Sequence, residues 1–168
     1  MAQHQRETLL KVYERPSQQR AISEIVRFWA KHDPTITRRT PAGPGDCDGS
    51  PSLTTPLPAG APPPDCIRPS GCLWCDKYRD KDNLDYIWSL ASFRYLKHIE
   101  MSKALAQQRI DNHHPAMQVI HRLSDKLNWF TNSTPKRSSW VEEALARVEE
   151  GNYHPDWSTR ILGMEGTS

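Results

Sequence analysis

The chain's four cysteines, Cys47, Cys66, Cys72 and Cys75, fall within 29 positions in the spacing C-x18-C-x5-C-x2-C. A structural zinc takes four ligands at tetrahedral corners, and a C-x2-C turn lets two thiolates of one knuckle fill adjacent corners. Gly71-Cys72-Leu73-Trp74-Cys75 supplies that knuckle. The pattern leads us to expect one zinc held by Cys47, Cys66, Cys72 and Cys75, with His98 the substitute if Cys47 is not a ligand. Two other readings stay open. A redox pair wants a βαβ setting, which the chain lacks, and the irregular spacing before Cys72 suits scattered free thiols as well.

Other polar residues carry weaker signals. His113 and His114 are adjacent and precede Pro115, so they read as a solvated pair, and His121 falls on the polar part of a strong helical pattern. Asp80, Asp82 and Asp85 gather where a helix starts, where the helix dipole favours carboxylates without any catalysis. The chain has no G-x-S-x-G, no phosphate-binding glycine loop and no H-E-x-x-H, so an independent active site is not expected.

The elements that must position these residues are helical. Leu9, Leu10, Val12 and Tyr13 form a short apolar-periodic run that stops at Pro16. Ser17 suits the N-cap of a second helix reaching about Lys31, with Ile22, Ile25, Val26 and Trp29 on one buried stripe. From about Asp82 to Gln107, Leu84, Ile87, Trp88, Ala91 and Tyr95 share a face. Pro115 opens the clearest helix, whose stripe is Ala116, Val119, Ile120, Leu123, Leu127 and Phe130. Residues 131–135 break it. Ser139-Trp140-Val141-Glu142 has the form of a capping box for a further helix striped by Trp140, Ala144, Leu145 and Val148 and closed by Gly151. A last helical segment spans about Trp157 to Leu162. No strand with period-two alternation stands out.

Of 14 prolines, nine lie between Pro41 and Pro69, where few large apolar residues offset the entropy of ordering. That stretch reads as a linker, and zinc binding is a means of ordering it. The expected organisation is a mainly α protein: residues 1–40 a helical segment, 41–70 a Pro-rich linker, and 71–168 a helical extension opened by the knuckle. The net charge of +2 names no partner, although residues 1–40 hold eight Lys or Arg against four acids, which suits a phosphate backbone or simply a solvated face. No apolar run is long enough for a membrane span, nor is there the apolar core of a signal peptide, so a cytoplasmic protein is expected. In that reducing compartment clustered cysteines favour metal over disulfides.

Two stretches carry a resemblance. His4 to Tyr13, with the sequence His-Gln-Arg-Glu-Thr-Leu-Leu-Lys-Val-Tyr, resembles the last motif of tyrosine recombinases of the phage-integrase type, in which a histidine stands nine positions before the nucleophilic tyrosine. Pro69-Ser70-Gly71-Cys72-Leu73-Trp74-Cys75, with the Tyr-Arg-Asp and Ser-Leu-Ala-Ser-Phe-Arg-Tyr-Leu tracts after it, resembles the cysteine-bearing C-terminal extension of integrase-like proteins on bacterial mobile elements. The resemblance implies that Tyr13 descends from a nucleophile that attacks a DNA phosphodiester, with His4 beside it. It also implies partners: DNA, a recombinase protomer, or a second copy of the chain. The family meets the charge on the phosphate with two arginines, a lysine and histidines placed before the tyrosine. With three residues ahead of His4, those arginine-bearing motifs are missing. The chain is therefore expected to be a truncated integrase C-terminal region, linked to DNA integration and recombination and inactive alone. The alternative is a zinc-stabilised helical adaptor unrelated to recombination, and a weaker one is a small DNA-binding regulator acting through residues 1–40.

Overall fold

The computed structural model describes residues 41–107 and 114–166, together with Ala21 and Ile25. The chain divides into two units, residues 1–40 and 41–168, and the elements labelled below belong to the second. His4, Tyr13 and the expected helix ending at Pro16 lie outside the described residues, as does most of the helix expected to run to about Lys31. Ala21 and Ile25 are helical, but Ile25, expected on a buried stripe, is 54% exposed.

The second unit is mainly helical, as expected. In chain order its elements are β1 (Asp46–Cys47), α1 (Pro69–Cys72), β2 (Tyr78–Arg79), α2 (Leu84–Ala106), α3 (Pro115–Ser133), α4 (Pro135–Glu149) and α5 (Pro155–Glu165). Four of the five helices open on a proline. At that position the missing N–H costs nothing, and the residue before the ring is pushed out of the helical region. Each start except α1's is capped by a side chain. Asn83 accepts from the Tyr86 N–H at 2.8 Å, and Thr134 Oγ1 from the Arg137 N–H at 3.2 Å. The two His-Pro pairs use an imidazole instead: Nδ1 of His114 accepts from the Ala116 N–H, and Nδ1 of His154 from the Asp156 N–H, both at 3.2 Å. His114 is thus a cap rather than half of a solvated pair.

Two expected boundaries move, the first being the end of α3, which continues through residues 131–133 of the expected break to Ser133. The capping box at Ser139 does not open α4, because Thr134 caps it five residues earlier, and Ser139 Oγ instead donates to the Lys136 carbonyl. Thr134 serves both helices, ending α3 and beginning α4 in an extended conformation. The close of α4 is as expected: Gly151 at φ +76° lets its own N–H reach the Val148 carbonyl and the Asn152 N–H reach Arg147's.

α2 is the centre of the unit and packs on α3, α4 and α5, while α3 also packs on α4. All eight residues from Tyr86 to Phe93 are buried, so the single face expected for α2 is in fact its whole circumference, the mark of a helix enclosed by others. α3 offers Ala116, Val119, Leu123, Leu127 and Phe130, five of the six residues of its expected stripe. α4 offers Val141, Ala144 and Val148, which turns its buried line slightly away from Trp140, and α5 offers Trp157 and Ile161. Enclosure of α2 buries two serine hydroxyls, and both are answered. Ser89 Oγ accepts from Trp157 Nε1 and Ser92 Oγ from the His154 N–H, each at 2.9 Å. The ring of Trp157 stacks on Phe93 with centroids 4.2 Å apart.

A two-stranded antiparallel ribbon was not legible in the sequence. β1 and β2 pair Asp46 with Arg79 and Cys47 with Tyr78, and two residues per strand are too few to show an alternation. Ion pairs flank the ribbon, Arg79 to Asp48 at 2.7 Å and Lys81 to Asp46 at 3.0 Å. No helix among the described residues is long and apolar enough to cross a membrane.

Candidate metal centre

The cysteine segment is laid over the head of the helical bundle by contacts that begin in the Pro-rich stretch. Ser52 and Thr54 donate their hydroxyls to the Asp76 carboxylate at 3.3 and 3.0 Å, and the Asp76 N–H returns to the Ser52 carbonyl at 3.0 Å. A Cβ built on Gly71 would stand 2.3 Å from the Pro63 carbonyl oxygen. The backbone of the proline run therefore lies directly on α1, and only glycine leaves room for it. The stretch expected as a linker belongs to the same unit as the helices.

Around the knuckle two turns follow one another. The Cys75 N–H donates to the Cys72 carbonyl, and the Tyr78 N–H to the Cys75 carbonyl, both at 3.1 Å. The first turn sets the C-x2-C pair and the second feeds β2. Cys72 is buried at the end of α1, Cys75 is half-buried, Cys66 is exposed, and none is in a disulfide. Cys66 itself sits at φ +58°, a left-handed conformation uncommon for a residue with a Cβ. Just before it, Asp65 accepts from the Ile67 and Arg68 N–H groups at 2.9 and 2.8 Å and from Arg68 Nε at 2.6 Å. Those donors hold its carboxyl down at about 2.

Burial pushes the Cys72 thiol up, while the backbone N–H groups of Gly43 and Ala42 pull it back by stabilising a thiolate. Cys66 and Cys75 stand near enough that their charges also raise it. Cys47 is buried on β1 beside Tyr78, with Sγ donating to the Gly49 carbonyl at 3.2 Å. His98 is on the exposed part of α2, and partial desolvation, helped by the charge of Arg94, lowers its imidazole's pKa. The thiol set is chemically right for zinc, whereas no three His, Cys, Asp or Glu among the described residues converge to metal-holding distance.

Below the knuckle a polar chain joins it to the bundle. Tyr78 and Tyr86 share a hydroxyl hydrogen bond at 2.8 Å, the Tyr86 hydroxyl donates to Asp80, and Lys126 of α3 donates to both Asp80 oxygens at 2.6 and 2.9 Å. Burial drives both phenols far above their ordinary range, so they remain neutral donors. Asp82 forks onto Arg137 at 2.7 and 2.8 Å, and Asp85 faces Nε2 of His154 at 3.4 Å. Each of the three aspartates near the start of α2 therefore has its own basic partner. Arg122 adds a bond to the Leu73 carbonyl at 3.3 Å. These ties span up to 69 positions, and no local pattern announces them.

The chain was compared with family models, curated proteins and solved structures, and it matches none of them.

Proposed function

We propose that the chain is the C-terminal region of a tyrosine-recombinase-like protein, linked to DNA integration and recombination, that acts by docking on DNA or on a recombinase protomer and does not cut DNA by itself. Cys47, Cys66, Cys72 and Cys75 hold one structural zinc in this reading, and the metal clasps the Pro-rich stretch to the helical bundle. The observation that supports the clasp is the C-x2-C turn closed by the Cys75 N–H on the Cys72 carbonyl, with Gly43 of the Pro-rich stretch packed directly against Cys72. The recombinase half rests on the His4 to Tyr13 spacing and the tracts that follow the knuckle.

Two measurements test it. Purified chain should carry about one zinc, and less than about half an equivalent removes the clasp. On a suicide substrate with a nicked recombination site, the chain alone should form no covalent adduct, and an adduct at Tyr13 would overturn the docking role.

A second reading, a free-standing zinc-stabilised adaptor, is favoured by one fact. Residues 41–166 contain a hydrophobic core of their own. A coding stretch of the form R…H-x-x-R upstream of Met1, in frame or frameshifted, supports the recombinase reading, and its absence supports the adaptor.

A further inference from the structure

Arg68, Arg79, Lys81, Lys97, Lys126, Arg137 and Arg147 are each paired with a carboxylate at 2.6–3.0 Å. Arg94 is not one of them. It is half-buried on α2, with its hydrogen bond going to the Ser124 hydroxyl of α3 at a long 3.5 Å. Burial lowers its affinity for its proton, and no acid group opposes that effect. A guanidinium withdrawn from water is ordinarily matched by a carboxylate, because its desolvation otherwise goes uncompensated.

The neighbours of Arg94 are donors too. His98 follows it by four residues, one turn along the same face of α2, and is exposed. Partial desolvation and then its neighbour's charge favour the neutral imidazole, which still has one N–H to give. Ser124 brings a hydroxyl from the facing helix, and His121, three residues earlier on α3, is exposed along the same stretch. The adjacent Lys97 is committed elsewhere, to Glu100 at 2.7 Å and over the Phe93 ring at 5.3 Å. The seam thus holds a fork and a hydroxyl, with an imidazole one turn further along α2, and among the described residues no carboxylate is paired with Arg94.

We propose that Arg94 and His98 of α2, with Ser124 of α3, form a binding site for a phosphate group. A tetrahedral oxyanion presents acceptors in several directions at once, so a two-pronged guanidinium, a hydroxyl and an imidazole can each take an oxygen. The site uses none of the four cysteines and does not depend on the recombinase reading. The same chemistry serves inorganic phosphate and a nucleic-acid backbone.

The test uses the full chain, isotopically labelled, with the Arg94 Nε–Hε and Ser124 amide signals followed by NMR. One titration uses inorganic phosphate and the other a short DNA duplex. Saturable shifts at both signals are expected with at least one of them, and which one saturates identifies the source. In R94M the affinity falls about tenfold or more, R94K lies between, and S124A weakens it about threefold. S124A keeps the test valid should R94M disturb the fold. Shifts that grow linearly and equally at the exposed Arg160, or affinities unchanged in R94M and S124A, overturn the site.

Discussion

Lys126 of α3 grips both carboxylate oxygens of Asp80, at 2.6 and 2.9 Å, and at the same time lies 5.0 Å over the ring of Tyr78. One ammonium thereby holds the end of the ribbon and the start of the bundle together across 46 positions of sequence. The Lys126 side chain is 14% exposed and that of Asp80 39%. Screening at Asp80 keeps the pair well short of a fully buried one. Lys126→Met should lower stability by about 1 kcal/mol in urea unfolding. Asp80→Asn should cost less in the Lys126→Met background than alone, and fully additive losses would show that the two do not act as a pair.

The indole of Trp157 and the hydroxyl of Ser89 make a buried bond at 2.9 Å. Ser89→Ala strands the indole N–H without a partner or water, which costs about 1–3 kcal/mol. Trp157→Phe keeps the stack on Phe93 while removing the donor. In that background Ser89→Ala should be close to neutral. A thermal melt of the four proteins reads the difference, and equal losses in both backgrounds would mean the bond contributes little.

Gly71→Ala puts a methyl 2.3 Å from the Pro63 carbonyl oxygen. Backbone cannot swing aside as a side chain does, so the proline run must lift off α1. We expect residues 53–62 to become accessible to limited proteolysis while the α2–α5 core keeps its helical circular dichroism. Gly163→Ala, where a Cβ meets nothing within 4 Å, is the matched control.

The carboxyls of Asp82 and Asp85 are both held below their usual range, the first by the hydrogen bonds from Arg137 and the second by that from His154. A carboxyl lowered on folding contributes stability above its unfolded pKa and loses it as pH falls through the folded value. Unfolding midpoints should therefore be flat near neutrality and decline below about pH 4. Asp82→Asn should flatten part of that decline. Both side chains are more than half exposed, so added salt should shrink the effect.

The helices were largely legible because their signals are local. Pro115 and Gly151 mark ends through backbone geometry alone, and the Ala116 to Phe130 stripe repeats within one helix. The start of α4 was misread because Ser139 and Glu142 have the form of a cap while Thr134, five residues earlier and followed by Pro135, has the stronger one. The ribbon, the Asp80 to Lys126 tie and the Arg94 seam were invisible for a different reason. Each depends on partners from 30 to 46 positions apart, and chain distance of that size leaves no periodicity. The cysteines fall between the two cases. Their spacing drew attention to the knuckle, whereas the peptide N–H groups on Cys72 come from residues 42 and 43.

Thr134 ends one helix and caps the next, so the hinge between α3 and α4 is a single extended residue followed by a proline. Bundles can dimerise by letting such a hinge straighten, so that two helices merge into one long rod and each copy lends a half to the other. Here the Pro135 ring would collide with the carbonyl one turn back if the rod formed, and it has no N–H to extend the ladder. The Pro135 joint therefore fixes α3 and α4 as two separate helices that cannot be fused by straightening Thr134.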